Sequence, residues 1–457
     1  MAEPGAVQSA KADAAGLVAR IENAPFSRWH ARVRIIVGSA TFFDAFDALS
    51  LAFALPVLIR LWSITPAQSG LLISSSYIGQ IAGALVFSWL AEKYGRIRSA
   101  AAAVALMSVM GLGCALAGDF ATLFAFRFIQ GIGIGGEMPV AAAYISEVSK
   151  ARGRGKFFML YELIFPIGLM AAGQIGALVV PVFGWQVMFL LGGIPGLIVT
   201  FLLLRLPESP RWLISKGRIS EAERIVQQME ATTGGVAEAP TPPPVPAKPA
   251  HAERSRWREI LGGTYRSRTL IVWTLWAMSY FITNSLNNWM PSLYNTVYKL
   301  GLRESLRAAS MTNVAQVIVL LVCAFCIDRT GRRNWAVASF IGGGALLAIL
   351  GFGGAQNVTT VMILATLSYG IVGSINAVLY LYTPEIYPTR MRAIGTGLAT
   401  AWLRLASAVG PAVVGLMVGA SGINSVFIMF AVTAVIGAVA ATRMIETRTR
   451  RLEEIAP

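Results

Sequence analysis

The chain has 457 residues, 55% of them hydrophobic and only 13% charged. Soluble domains carry roughly a quarter, so a soluble globular protein is excluded and a polytopic membrane protein is indicated. The net charge of +15 would suit a nucleic-acid partner, but the basic residues are confined to particular loops. That distribution belongs to a membrane topology and excludes nucleic-acid binding.

Twelve apolar runs are long enough to cross a hydrocarbon core of roughly 30 Å. They cover 32–59, 68–91, 99–118, 120–147, 156–181, 186–206, 269–297, 308–328, 334–353, 358–386, 393–418 and 423–443. Of the 38 Lys and Arg, only Arg60, Lys299, Arg303 and Arg307 fall in loops after odd-numbered spans. Nearly all the others lie at the termini or after even-numbered spans, so both termini are expected to be cytoplasmic. The first 30 residues hold no apolar h-region, so no cleaved signal peptide is expected. Cys114, Cys323 and Cys326 lie in apolar runs and imply neither a disulfide framework nor a metal site.

The expected organisation is a cytoplasmic N-terminal segment (1–31), a six-helix half (32–206), a cytoplasmic linker (207–268), a second six-helix half (269–443) and a cytoplasmic tail (444–457). The linker holds PESPRWL (Pro207–Leu213), a helical stretch (Ile219–Met229) and a Pro-rich spacer (Ala239–Pro249) that reads as extended.

The fourth span carries Arg127 and Glu137 with Gly131 and Gly135 between them, and a basic cluster follows (Lys150, Arg152, Arg154, Lys156). Charge inside a membrane helix is costly and marks function by default, while small residues four apart let another helix approach. The two halves also repeat. Glu92-Lys93-Tyr94-Gly95-Arg96 follows the second span and Asp328-Arg329-Thr330-Gly331-Arg332 follows the eighth, 236 residues later. Glu147 and Glu385 follow the fourth and tenth spans, 238 residues apart, and each has an Arg seven residues on, Arg154 and Arg392. Parallel six-helix repeats are a known transporter plan, with substrate held mid-membrane between them.

These motifs resemble the major facilitator superfamily over nearly the whole chain. The resemblance implies an all-α membrane protein of twelve transmembrane helices in two pseudo-symmetric six-helix halves. PESPRWL and Pro384–Arg392 look like the sugar-porter and organic-ion branches. Two features resemble the proton-coupled metabolite and aromatic-acid branch: Asp44-Ala45-Phe46-Asp47 in the first span, with Ala45 in place of Gly, and Arg404 to Pro411 in the eleventh. The resemblance implies that Arg127 faces Asp47.

Asp44 and Asp47 are i, i+3 neighbours near mid-membrane. They read as proton-coupling groups together with Arg127 and Glu137; a structural ion pair with Arg127 and a plain interhelical contact at Glu137 are the alternatives. Glu162 is a further candidate of the Glu137 kind. His30 and His251 lie outside the spans, so carboxylates must carry the proton. Arg404 is costly to bury unless it lines a wet cavity or meets an anion, and its fork suits a carboxylate. Asn284, Asn287, Asn288, Tyr280 and Trp289 of the seventh span suit a small, partly apolar ligand; Tyr294 adds a ring and Pro291 is expected to kink the helix. Glu92, Gly95, Arg96, Glu147, Arg154, Asp328, Arg332, Glu385 and Arg392 read as a gating latch on the cytoplasmic side.

The expected function is secondary active transport by alternating access: proton-coupled uptake of a small organic anion such as an aromatic monocarboxylate. A sugar or polyol symporter and a drug-type exporter are the alternatives. No GxxxxGK[ST] phosphate loop occurs, against an ATP-driven pump, and no enzyme is indicated. The expected partners are the lipid bilayer and a small-molecule substrate. The protein is expected in the plasma (inner) membrane as a monomer, with no cofactor or metal beyond the proton as coupling ion.

Overall fold

The computed structural model describes residues 27–148, 163–232, 257–388 and 391–448, together with 14, 16–21 and 24. Its long helices are α1 Arg28–Trp62, α2 Pro66–Tyr94, α3 Arg96–Ala115, α4 Phe120–Glu147, α5 Ile164–Phe183, α6 Gln186–Leu204, α7 Gly263–Thr296, α8 Leu302–Thr330, α9 Arg332–Gly351, α10 Val358–Glu385, α11 Arg392–Ser421 and α12 Ile423–Thr442. The shortest has 19 residues, about 28 Å at 1.5 Å per residue. Ten are long and apolar enough to cross a membrane, and α4 and α7, at 28 and 34 residues, have the length. The expected spans match these helices to within a few residues, save that the start of the fifth lies outside the described residues. Pro291 is carried inside a continuous α7.

The helix ends are written locally. Thr65 and Gln68 form a capping box with Pro66 at the first helical position, Asp119 caps α4 through Thr122, and Asn357 caps α10 through Thr359. Side-chain oxygens thus satisfy otherwise orphaned N–H groups. At the opposite end, here called the motif end, single glycines make the turns. Gly95 joins α2 to α3 at φ +110° and Gly331 joins α8 to α9 at φ +86°, where a side chain would be strained.

Burial is inverted relative to a water-soluble protein. Leu116 and Phe325 are 84% and 82% exposed on the outside, whereas Asp44, Asp47, Arg127, Glu137, Asn288 and Asn313 are inside. Lipid tolerates the first set, and the helices shelter the second.

α1–α6 and α7–α12 pack as two like halves. In the first, α4 packs on α2 and α3, and α3 on α6; in the second, α10 packs on α8 and α9, and α9 on α12. The halves meet through α2 against α11, α5 against α8 and α1 against α7, pairs that a two-fold exchange of the halves maps onto one another. Hydrogen bonds crossing this interface run from mid-helix towards the end away from the motifs: Ser74 Oγ to Ala408 O at 2.5 Å, Asn288 to Tyr77, Gln174 to Ser310 O and Arg404 to Gly135 O.

The glycines of α2 and α4 set how closely those helices approach. A Cβ on Gly83 would sit 2.0 Å from Ile132 O, and one on Gly135 would sit 2.1 Å from Gln80 O. Gly135→Val is therefore expected to prevent recovery of monodisperse protein on size-exclusion chromatography. Gly397→Val, where a Cβ meets nothing within 4 Å, is expected to be recovered like the wild type.

The linker forms two short helices, Pro210–Ser215 and Ile219–Ala231. Leu17 and Ile21 of the N-terminal segment bury against Trp212, Leu213, Ala222 and Val226. Arg20 grips Glu230 through both guanidinium nitrogens, at 2.9 and 2.6 Å. The Pro-rich spacer, His251, Glu162, Arg154 and the rest of that basic cluster lie outside the described residues.

Candidate functional site

At the centre of the first half, α1 and α4 bring Asp47 and Arg127 together. Arg127 Nη1 lies 3.6 Å from Asp47 Oδ2, with side chains 3% and 2% exposed. The same nitrogen donates to Gln130 Oε1 at 2.9 Å, and neither carboxylate oxygen of Asp47 has a hydrogen-bond partner. This is a sealed, long ion pair without closing hydrogen bonds. Breaking such a pair strands a charge, yet keeping it contributes little net stability, a balance that suits a group which changes partners.

One turn towards the motif end, Asp44 is 1% exposed and its Oδ1 is unpartnered. Glu137, Asp47 and Arg404 are the charged groups acting on it. Glu137 is 0% exposed; its Oε1 accepts from Thr41 Oγ1 at 3.1 Å and its Oε2 has no partner. Thr41 and Asp44 share a face of α1, so α1 and α4 present two carboxylates to one interior region. His30 sits in the first turn of α1, where Ser27 Oγ lies 2.9 Å from its Nδ1, far from this cluster.

Arg404 reaches across from the second half. Its Nη2 lies 3.4 Å from Gly135 O of α4, and its Nε is unpartnered. Tyr380, Asp44 and Tyr280 are the groups acting electrostatically on it. The guanidinium is only partly covered, as are Tyr280 and Asn284 of α7 and Asn376 and Tyr380 of α10. These side chains form an accessible wall at mid-bundle. Trp276 stiffens it: Tyr280 stacks on the indole at 5.6 Å and 9°, and Tyr380 meets it edge-on at 4.6 Å. The indole is fixed by its N–H to Thr383 at 3.0 Å. Asn376 accepts from Ser279 at 2.5 Å and donates to Thr283 at 3.3 Å. A cation beside aromatic faces and amides can take a planar ligand with one carboxylate.

The α7 residues marked in the sequence divide. Tyr280 and Asn284, one turn apart, are on this wall, and Asn284 donates to Ser407. Asn287, Asn288 and Trp289 are not: all three are buried. Asn288 donates to Tyr77 OH at 3.2 Å and to Asn284 O at 2.9 Å, and Trp289 donates to Pro411 O at 3.1 Å. They belong to the packing that closes the far end, because five residues along a helix turn a side chain well off the face shared by i and i+4. Tyr294 is buried as well.

The motif end forms two matching networks, and each is contained in one half. Arg96 pairs with Glu92 at 3.0 Å and Glu147 at 3.1 Å; Arg332 pairs with Asp328 at 3.1 Å and Glu385 at 3.4 Å. The expected latch across the halves is thus replaced, among the described residues, by pairing inside each half. Arg392 also departs from expectation. It donates to Tyr387 O at 3.1 Å, while Glu385 is met by Arg332 and by Thr447 Oγ1 at 2.6 Å.

Two carboxylates central to these networks escaped the sequence reading. Glu208 accepts the N–H groups of Arg96 and Ile97 at 2.8 and 3.2 Å, capping α3; burial pushes its carboxyl above the ordinary glutamate value. Glu446 accepts those of Arg332 and Arg333 at 3.0 and 3.1 Å, capping α9. Ser209 binds Glu147 at 2.5 Å as Thr447 binds Glu385. These pairs keep the 238-residue offset, a signal present in Pro207-Glu208-Ser209 against Ile445-Glu446-Thr447. A Cβ on Gly95 or Gly331 would strike Glu208 or Glu446, which explains both glycines. Glu208→Ala and Glu446→Ala are expected to lower unfolding free energy by similar amounts, about 1–2 kcal/mol each, measured as thermal unfolding in detergent. A loss confined to Glu208→Ala would show that the second network is not equivalent.

A twelve-helix bundle of two like halves, with ionised groups sealed at its centre and an accessible cationic wall between the halves, defines a membrane transporter of the major facilitator fold. The chain belongs to the sugar (and other) transporter family, whose profile matches residues 37–457. It is similar to the niacin transporter NiaP of Acinetobacter baylyi, at 36% identity over 447 residues, 96% of this chain and 99% of that one. It is 29% identical over 376 residues to the 4-hydroxybenzoate transporter PcaK of Pseudomonas aeruginosa, covering 81% and 82% of the two chains. Among solved structures, the xylose transporter XylE from E. coli, in a partially occluded inward open conformation, matches with a TM-score of 0.73 at 20% identity over 93% of this chain and 100% of that one. That likeness shows the fold alone.

Proposed function

We propose that the protein is a proton-coupled symporter that takes up small aromatic monocarboxylates by alternating access. The observation that carries this reading is Arg404: an accessible guanidinium at mid-bundle, flanked by tyrosines, with no ion pair to a carboxylate among the described residues. A neutral sugar would leave that charge unmatched and gain little from it. An anion gains a charge-assisted, two-point contact, and the rings of Tyr280 and Tyr380 supply the apolar faces. The niacin and 4-hydroxybenzoate carriers among the relatives support the same substrate class.

Asp44, Asp47 and Glu137, with Arg127, are the coupling groups in this reading. The protein lies in the plasma (inner) membrane with the motif end and both termini in the cytoplasm, as the distribution of Lys and Arg supports. It works as a monomer, one chain holding a whole site. The pattern of contacts, tied at the far end, corresponds to an inward-facing state.

The test is uptake into proteoliposomes under an imposed proton gradient, with nicotinate, 4-hydroxybenzoate, xylose and a lipophilic cation as labelled probes. Accumulation of the acids, abolished by a protonophore, is expected. Accumulation of xylose or the cation, with the acids excluded, would overturn the proposal.

A further inference from the structure

We infer that Asp44 and the substrate's carboxylate compete for Arg404, so that a proton must reach Asp44 before substrate docks. The inference rests on the reading of Arg404 as the substrate's anchor and adds the order of binding to it.

The geometry places the competitors on opposite halves. Asp44 belongs to α1 and Arg404 to α11, and Arg404 is already drawn to the first half by Gly135 O. Gly135 lies two residues before Glu137, and Glu137 is bonded to Thr41, one turn before Asp44. The groups facing Asp44 are Asp47 on its own helix, Glu137 on α4, Arg404 on α11 and the Tyr77 hydroxyl on α2; α7 and α10 contribute the Tyr280 and Tyr380 hydroxyls beside Arg404. Two of these are acidic and one is cationic. Arg127 is taken by Asp47 and Gln130.

Ionised Asp44 therefore has one counter-charge, Arg404. It is sealed from water with Oδ1 unpartnered, and such a charge is costly unless matched. While Asp44 is ionised, an arriving carboxylate meets a guanidinium already neutralised, with Glu137 close behind. A proton on Asp44 removes that neutralisation and leaves the whole cation to the substrate. The linkage is reciprocal: substrate that captures Arg404 draws a proton to Asp44. Because the attraction spans the two halves, the empty, unprotonated carrier is held together at the point where substrate would enter.

The test is equilibrium binding of benzoate to purified protein from pH 6 to pH 8.5. A benzoic acid carboxyl with a pKa near 4 is ionised throughout this range, like an ordinary carboxylate, so only the protein titrates. Wild-type affinity is expected to be highest at low pH and to fall towards about tenfold per pH unit once Asp44 ionises. Asp44→Asn and Asp44→Ser should bind as tightly as wild type at pH 6 and show no slope, whereas Glu137→Gln should keep the slope. In weak buffer, a pH indicator should report about one proton taken up per benzoate bound by wild type at high pH, a reading that needs no variant. A flat wild-type profile without proton uptake, a slope that survives in both Asp44 variants, or a slope lost only in Glu137→Gln would overturn the competition while leaving the anchor intact. Wild-type affinity at Arg404→Ala would remove the anchor, and the competition with it.

Discussion

Arg404→Ala is expected to weaken binding of nicotinate or 4-hydroxybenzoate by about ten- to a hundredfold. A charge-assisted hydrogen bond is worth ~1.5–3 kcal/mol, and each 1.4 kcal/mol is tenfold in affinity. Arg404→Lys should fall between. It keeps a positive charge but loses the planar fork that meets both carboxylate oxygens. Binding to purified protein, with thermal unfolding as a control for folding, measures the series. The fold should survive the change, because Arg404 is partly accessible and its one described hydrogen bond, to Gly135 O, is 3.4 Å long. Equal affinity in all three proteins would remove Arg404 from the substrate site.

Asp47→Asn is expected to abolish accumulation against a concentration gradient while exchange of substrate across the membrane persists. The change removes the charge opposite Arg127 and the proton-binding oxygen, but it is nearly isosteric. Arg127→Ala should be worse tolerated than Asp47→Asn. It leaves Asp47 sealed at 2% exposure without the cation beside it, and an uncompensated buried charge costs about 3–5 kcal/mol. Asp44→Asn is expected to lose accumulation as well, since its proton is the one tied to Arg404. Accumulation retained by both Asp44→Asn and Asp47→Asn would take α1 out of coupling and leave Glu137 as the carboxylate in that region.

Some of this was legible in the sequence and some was not. The spans were, because hydrocarbon thickness sets helix length and lipid-facing residues must be apolar. The facing of Arg127 and Asp47 followed from a family resemblance, and the doubled motif gave the two halves. What failed depended on azimuth and distant pairing. Trp289 and Asn288 look like ligand residues by type, but the rotation of α7 turns them into the packing around Pro411 and Tyr77. Asn376 and Tyr380 share a face of α10 at i and i+4, yet nothing local says that this face meets Arg404. Glu446 caps a helix 114 residues before it, and its motif keeps only an acid and a hydroxyl from its partner. Arg392 was paired with Glu385 by spacing, whereas the chain turn at Tyr387 gives it a backbone carbonyl instead.

The most direct test of the central claim is a comparison of nicotinate with nicotinamide, which share a ring and differ in one charge, on wild type and on Arg404→Ala. An account in which Arg404 holds a carboxylate predicts that wild type binds the acid about ten- to a hundredfold more tightly than the amide. It further predicts that Arg404→Ala removes most of that difference by weakening the acid and sparing the amide. Equal binding of acid and amide by wild type, or an acid preference that persists unchanged in Arg404→Ala, would contradict it.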